Sequence, residues 1–442
     1  MDKLLKVKNN EIEYFGHNLT NLAKKHGTPL KITFLDIIKE RVLGLKDCFK
    51  EAIKAEGYSK KFFYLNANKA NYGVREIETA FTYSDGLETS SYYDLLLTYE
   101  LYKKHPEFKK KPIVCNGYKE KDYIDAIIRI NEEGYKIINV IDSLNEYEYL
   151  KEKNVKLEIG LRVHLKALYA EEGDVIENDR FGLIKEDFTY IVDDIKNTSL
   201  ILSTIHFHQR GFDYEKDKFN LNFTKAFEEY YVYAAKKYKT VINFDMGGGT
   251  PLPEHNDFDY LAWAKEVIST LKKLSLEFKV NEPNLVSENG KYSQKDSTVN
   301  IYKVVGKKNT DSYLWHIING SLLIALPEMY ALGEPIIITP LNELDKPMIK
   351  GRLGGITCDC DDVYYEKSKG YIDLPDTNDD IYVGLIGTGS YQNSMNGKGG
   401  VHHCLLPEEK DLLIYTKNKK EVEEVRSNLQ SIEDVLRVSK FY

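Results

Sequence analysis

Two stretches of this chain set reactive groups beside backbone that could use them. FFYLNANK (62–69) ends in Lys69, which closes an apolar run and has no acid beside it. A lysine amine stripped of water loses proton affinity and can attack a carbonyl carbon. A lysine snorkelling at a strand end would look the same. TVINFDMGGG (240–249) ends in Gly247, Gly248 and Gly249. Consecutive glycines let backbone N–H groups approach a phosphate closely, although a tight turn also uses them. An amine and a phosphate cradle together suggest pyridoxal phosphate, held at both ends.

Positioning these groups requires a scaffold, and the hydrophobic pattern predicts one. Short β-rich runs lie at 62–69, 86–91, 112–117, 136–142, 157–165, 200–208, 240–249 and 284–290, with helical segments between them. Eight such alternations predict an α/β fold, a (β/α)8 TIM-like barrel over residues 35–295. The chain beyond is turn-rich and β-like until EVEEVRSNLQSIEDVLRV, where helical alternation resumes. Residues 296–442, joined by 1–34 with EIEYF and PLKITF, are expected to form a mainly β domain that completes the active site. Barrel enzymes gather their reactive groups at strand C-termini. Here those ends carry Lys69, Glu88, Asn116, Arg162, His164, His206, His208, Asp245 and Glu288–Lys291.

Composition narrows the function classes. Lys+Arg 61 against Asp+Glu 69 leaves a net charge of -8, so no cationic surplus exists to neutralise a nucleic acid. No window approaches 18 consecutive apolar residues, and MDKLLKVKNNEIEYFG lacks a signal peptide's apolar core. Five cysteines, an odd number with no disulfide-framework spacing, point to a reducing, cytoplasmic setting. Cys358 and Cys360 make half a metal site. No second pair completes it beyond His402-His403-Cys404, so no metal is expected.

The order of several short motifs resembles the fold-type III pyridoxal-phosphate decarboxylases of ornithine, diaminopimelate and arginine. YLNANKAN (64–71) matches that family's lysine motif, and Arg180–Leu183 matches its KFG signature. HFHQRG (206–211), Asp245–Gly249, ENGK (288–291), GITCDCDD (355–362) and Tyr391 follow in family order. VCNGYKEKDYI, LETSSYYD and TCDCDD resemble biosynthetic arginine decarboxylases in particular, without the inserted segment of the long bacterial ones. The resemblance implies that Lys69 carries the cofactor and His208 stacks on its ring, with Arg162 in support. It implies that Glu288 pairs with the ring nitrogen, and that Gly247–Gly249, Lys291 and Tyr391 serve its phosphate. Cys358, from the second subunit of a homodimer, would protonate Cα. Asp359 and Asp362 would hold the substrate's distal cation. Lys291 stands where the family has arginine, Arg210-Gly211 where it has Gly-Ser, and Cys360 where it has serine.

The expected reaction is decarboxylation of a basic amino acid, L-arginine to agmatine and CO2, in polyamine biosynthesis. Ornithine, lysine, meso-diaminopimelate and carboxynorspermidine are alternative substrates. A racemase and a non-catalytic cofactor-binding regulator are the remaining readings. No nucleic acid or membrane partner is expected.

Overall fold

A computed structural model describes residues 4–165, 180–208, 216–252, 258–334, 336–364 and 370–442. Two compact units separate: Lys39–Lys69 with Ile77–Tyr292, and Met1–Ile38 with Ala70–Glu76 and Ser293–Tyr442.

The first unit is a closed, all-parallel barrel whose strands follow chain order: Phe62–Ala67, Gly86–Thr89, Ile113–Cys115, Ile137–Ile141, Glu158–Arg162, Ile201–His206, Asn243–Asp245 and Asn284–Asn289. All eight fall within the apolar runs of the sequence. Buried on both faces, these strands need apolar residues on both. Inside the barrel, Leu65, Val114, Ile138, Val140 and Val286 form one cluster. Strand side chains alternate with period two. The next inward positions along these strands are therefore Asn116, Asp142 and Glu288, and the polar mouth is a continuation of the apolar plug. The outward positions pack under helices. Phe244 sits among Phe207, Phe223, Phe227 and Tyr231 at ring-centroid distances of 5.5, 5.2, 5.4 and 5.7 Å. Ser91 and Ser143 cap the helices at Tyr92–Lys104 and Leu144–Lys153, which fixes where strands two and four release the chain. Among the described residues, no helix is long and apolar enough to cross a membrane.

The second unit is built on a mixed β-sheet. The strand Leu30–Phe34 lies between Thr298–Asn309, antiparallel to it, and Lys410–Lys417, parallel to it. Leu30, Ile32, Phe34, Val299, Ile301, Leu412 and Ile414 fill one face. The C-terminal stretch departs from the helical expectation. Lys420–Ser427 is a strand paired with Lys410–Lys417, and the helix is only Ile432–Val438. Val422 and Val425 favour the strand, and the neighbouring edge supplies hydrogen bonds that local helix propensity cannot match.

Phe244 connects the barrel's outer packing to Asp245. Phe244→Ala should cost ~3–5 kcal/mol and lower the melting temperature by several degrees. An unchanged thermal melt would show that this aromatic cluster does not hold the seventh strand.

Candidate active site

At the barrel mouth three carboxylates are drawn into a space nearly closed to solvent. Glu88, Asp245 and Glu288 are buried. Asn116 bridges two of them: its Nδ2 donates to Glu288 Oε2 at 2.8 Å and to Glu88 Oε1 at 3.1 Å. His206 Nδ1 lies 3.3 Å from Asp245 Oδ2 and 3.9 Å from Glu288 Oε1. Burial raises the Asp245 carboxyl to about 6. Burial, and then the charge of Asp245, hold Glu288 well above the ordinary glutamate range. Burial lowers His206 to about 4, so its ring is neutral at pH 7 and offers these acids no cation. Glu288 Oε1 and Asp245 Oδ2 find no hydrogen-bond partner among the described residues.

The glycine loop follows Asp245 directly. Asp245 Oδ1 accepts the Gly247 N–H at 2.9 Å and His208 Nδ1 accepts the Gly248 N–H at 3.3 Å, so the loop is pinned at both sides. Gly247 has φ +69, and a Cβ on Gly248 would lie 2.5 Å from the Glu288 carbonyl. A side chain at either position would strain or displace the loop. His208 opens to solvent at the mouth. The protein packed around it still lowers its pKa well below the usual value, and Lys69 and Arg162 act in the same direction. With Nδ1 accepting from the loop, its ring is a neutral, oriented plane.

Lys69 lies in the turn after the first strand. Asn68 anchors that turn: its Nδ2 donates to Thr98 Oγ1 at 2.9 Å and to Asp94 Oδ1 at 3.2 Å. Lys69 itself is exposed, so the chain alone does not desolvate its amine as the apolar run around it predicts. Arg162 is buried, lies 3.6 Å from Asp142 and covers the Phe181 ring at 4.4 Å. The Arg180–Leu183 motif docks there: Gly182 N–H donates to Asp142 Oδ1 at 2.7 Å, and Leu183 pairs with the end of the fifth strand. Lys291 opens a short helix after the eighth strand. Arg210 and Gly211 lie outside the described residues.

The β unit carries the remaining predicted residues. Cys358 is exposed, with its sulfur 3.7 Å from that of Cys404. This neighbour raises the Cys358 thiol pKa. Asp359 pairs with His403 Nε2 at 3.0 Å and remains partly exposed. Asp362 is not arranged to meet a substrate. It is buried, and its oxygens accept from Ser321 Oγ at 3.0 Å, the Leu323 N–H at 3.1 Å and Thr357 Oγ1 at 2.6 Å. The two acids expected to meet the substrate therefore divide: Asp362 caps the turn and Asp359 faces outward. Tyr391 has φ +63, and its N–H donates to the Ala70 carbonyl at 2.7 Å.

Sequence reasoning assigns no site role to Asp94, Asn116 or Cys404. Asn116 at a strand C-terminus was visible as a polar end, but its two acidic partners come from strands far away in the chain. Asp94, raised by burial to about 7, sits one turn into a helix, where an acid is ordinary.

The residues at this mouth fit pyridoxal phosphate. A buried carboxylate oxygen lacks a partner, a glycine loop has no room for a Cβ, and an amine stands at the same mouth. No family model matches the chain. Its sequence is 26% identical over 313 residues to a biosynthetic arginine decarboxylase of Prochlorococcus marinus, covering 66% of this chain and 48% of that protein. It is 23% identical over 314 residues to biosynthetic arginine decarboxylase 2 of Synechocystis, covering 65% and 48%. The chain thus spans about half the length of the curated relatives it matches. The biosynthetic arginine decarboxylase SpeA of Campylobacter jejuni shares its fold with a TM-score of 0.85 at 19% identity, over 100% of this chain and 91% of that one. Diaminopimelate decarboxylase of M. jannaschi does so with a TM-score of 0.81 at 19% identity, over 98% and 97%. Sequence and fold together liken this chain to amino-acid decarboxylases, with biosynthetic arginine decarboxylases among its relatives in both comparisons.

Proposed function

We propose that this chain catalyses pyridoxal-phosphate-dependent decarboxylation of a basic amino acid, with L-arginine, giving agmatine and CO2, as its substrate. The unpartnered Oε1 of buried Glu288, on the same barrel mouth as Lys69 and the glycine loop, carries this reading. Similarity to named arginine decarboxylases supports the choice of substrate. When bound, pyridoxal phosphate supplies an electron sink for the charge left at Cα as the carboxylate departs.

The residues divide the work. Lys69 anchors the cofactor aldehyde. Gly247 and Gly248, which leave no room for side chains, would with Gly249 let the phosphate approach the loop backbone, and Lys291 and Tyr391 would add a charge and a hydroxyl. His208 bounds the ring face, and Arg162 holds the wall through Asp142. Glu288 would accept the proton carried by the ring nitrogen in a hydrogen bond to its free oxygen. Cys358, from a second copy of the chain in a homodimer, delivers a proton to Cα. Asp359 receives the distal guanidinium, a fork that fits a carboxylate. A reducing cytoplasm would keep all five thiols free.

His206, Asp245 and Glu288 also bring three ligand atoms within 4.8 Å of one another, a set that suits a divalent cation. The two readings separate experimentally. Lys69→Ala should abolish the visible absorbance of the bound cofactor. A cation in that place would instead appear in the metal content of the purified protein and leave the Lys69→Ala spectrum unchanged.

CO2 release should be fastest with L-arginine in a panel that includes ornithine, lysine, meso-diaminopimelate and carboxynorspermidine. Turnover of diaminopimelate without arginine would overturn the substrate assignment. Exchange at Cα without CO2 loss would indicate a racemase. Binding without any turnover would indicate a regulator.

Cys404 raises the Cys358 pKa, so removing it leaves more thiolate at a given pH. Cys404→Ala should therefore move the rate–pH profile for alkylation of Cys358 to lower pH. A profile that stays in place or moves up contradicts the coupling of the two sulfurs.

A further inference from the structure

The β unit contains a cavity of about 220 Å³ on the polar face of its sheet. At roughly 30 Å³ per water, that is room for a molecule of amino-acid size. Its floor is one row across the strands. Asn300 pairs with Lys31, Lys31 with Asp411, and Asp411 with Ser427, and all four line the cavity. Sheet faces inside a domain are ordinarily apolar, as the other face of these same strands is.

Among its neighbours, Asp411 keeps one buried oxygen, Oδ1, without a hydrogen-bond partner among the described residues, while its Oδ2, Glu409 and the Asn300 amide are engaged. Asp411 Oδ2 accepts from Arg426 Nη2 at 2.6 Å and from Lys398 at 3.0 Å. Glu409 accepts from both Tyr302 and Asn300. Asn300 Oδ1 accepts from Thr388. Lys31 differs from them. It is 8% exposed, lines the cavity, and its ammonium has no hydrogen bond or ion pair among the described residues. A buried ammonium without an acceptor is costly and calls for an anionic partner. Burial lowers its pKa, and Asp411 and Glu76 oppose that at longer range.

We propose that this cavity binds a small monocarboxylate, its carboxylate seated on Lys31 and its aliphatic part against Ile324, Ala325 and Leu406. Glu408, Glu409 and Asp411 line the same space and would repel a doubly charged phosphate. A single negative charge meets Lys31 with about half of that repulsion. The site lies wholly within the β unit and involves none of the barrel groups assigned to the reaction.

Calorimetric titration of the holoenzyme with butyrate tests this, because butyrate has no amine to compete at Lys69. Inorganic phosphate is the second arm. Butyrate should bind saturably, once per chain, and at least tenfold more weakly to Lys31→Met. The unliganded Lys31→Met protein should melt at the same temperature as the parent or higher, since it loses an uncompensated charge. Asn393→Trp, which places a ring at the exposed rim, should block butyrate with the charge intact and serves if Lys31→Met does not fold. No saturable binding, equal binding by Lys31→Met or Asn393→Trp, or tighter binding of phosphate than of butyrate overturns the proposal. So does a melting temperature several degrees lower in a folded Lys31→Met, which would make Lys31 a structural counter-ion.

Discussion

Three carboxylates buried at one barrel mouth are the constraint on which the rest of this site turns. Glu88, Asp245 and Glu288 share a space with little water, where charge is costly and like charges repel. The chain moderates this with the Asn116 side chain, the Gly247 N–H, the Ser90 hydroxyl and a histidine that burial keeps neutral at pH 7. What remains is a proton-rich acidic cluster with one glutamate oxygen unspent. A ring N–H is the complement of that arrangement. The glycine loop begins at Asp245 on the seventh strand and Glu288 ends the eighth, so on the proposed reading the phosphate and the ring nitrogen are met from neighbouring strand ends.

Strand periodicity explains how such a cluster can be built at all. The inward positions that form the apolar plug continue, two residues later, as the polar mouth. Val114 leads to Asn116, Val140 to Asp142, and Val286 to Glu288. The same packing that stabilises the barrel therefore aims the acids. Side chains outside the barrel act separately, and the ring cluster around Phe244 holds the seventh strand against its helices. Stability and site occupy alternate residues of the same segments.

Much of this was legible in the chain because it depends on local pattern. Eight apolar runs named eight strands, and Lys69, Gly247–Gly249 and Glu288 stood at their ends. What local pattern could not show is partnership across the fold. Asn116 is an ordinary strand-end polar residue until Glu88 and Glu288 are brought to it from 28 and 172 residues away. Cys404 looked like part of a histidine cluster, and only folding sets it beside Cys358 across 46 residues. Asp362 read like Asp359, yet a buried serine and a helix start absorb its oxygens. The last strand read as helix because its glutamates and valines suit either state, and a neighbouring edge decided it.

Glu288, on this reading, holds its free oxygen for a protonated ring nitrogen. The ¹⁵N chemical shift of ring-labelled pyridoxal phosphate bound to the parent protein tests that role most directly. A protonated nitrogen is predicted in the parent, with a shift toward the unprotonated value in Glu288→Gln. An unprotonated nitrogen in the parent, or the same shift in both proteins, would contradict it.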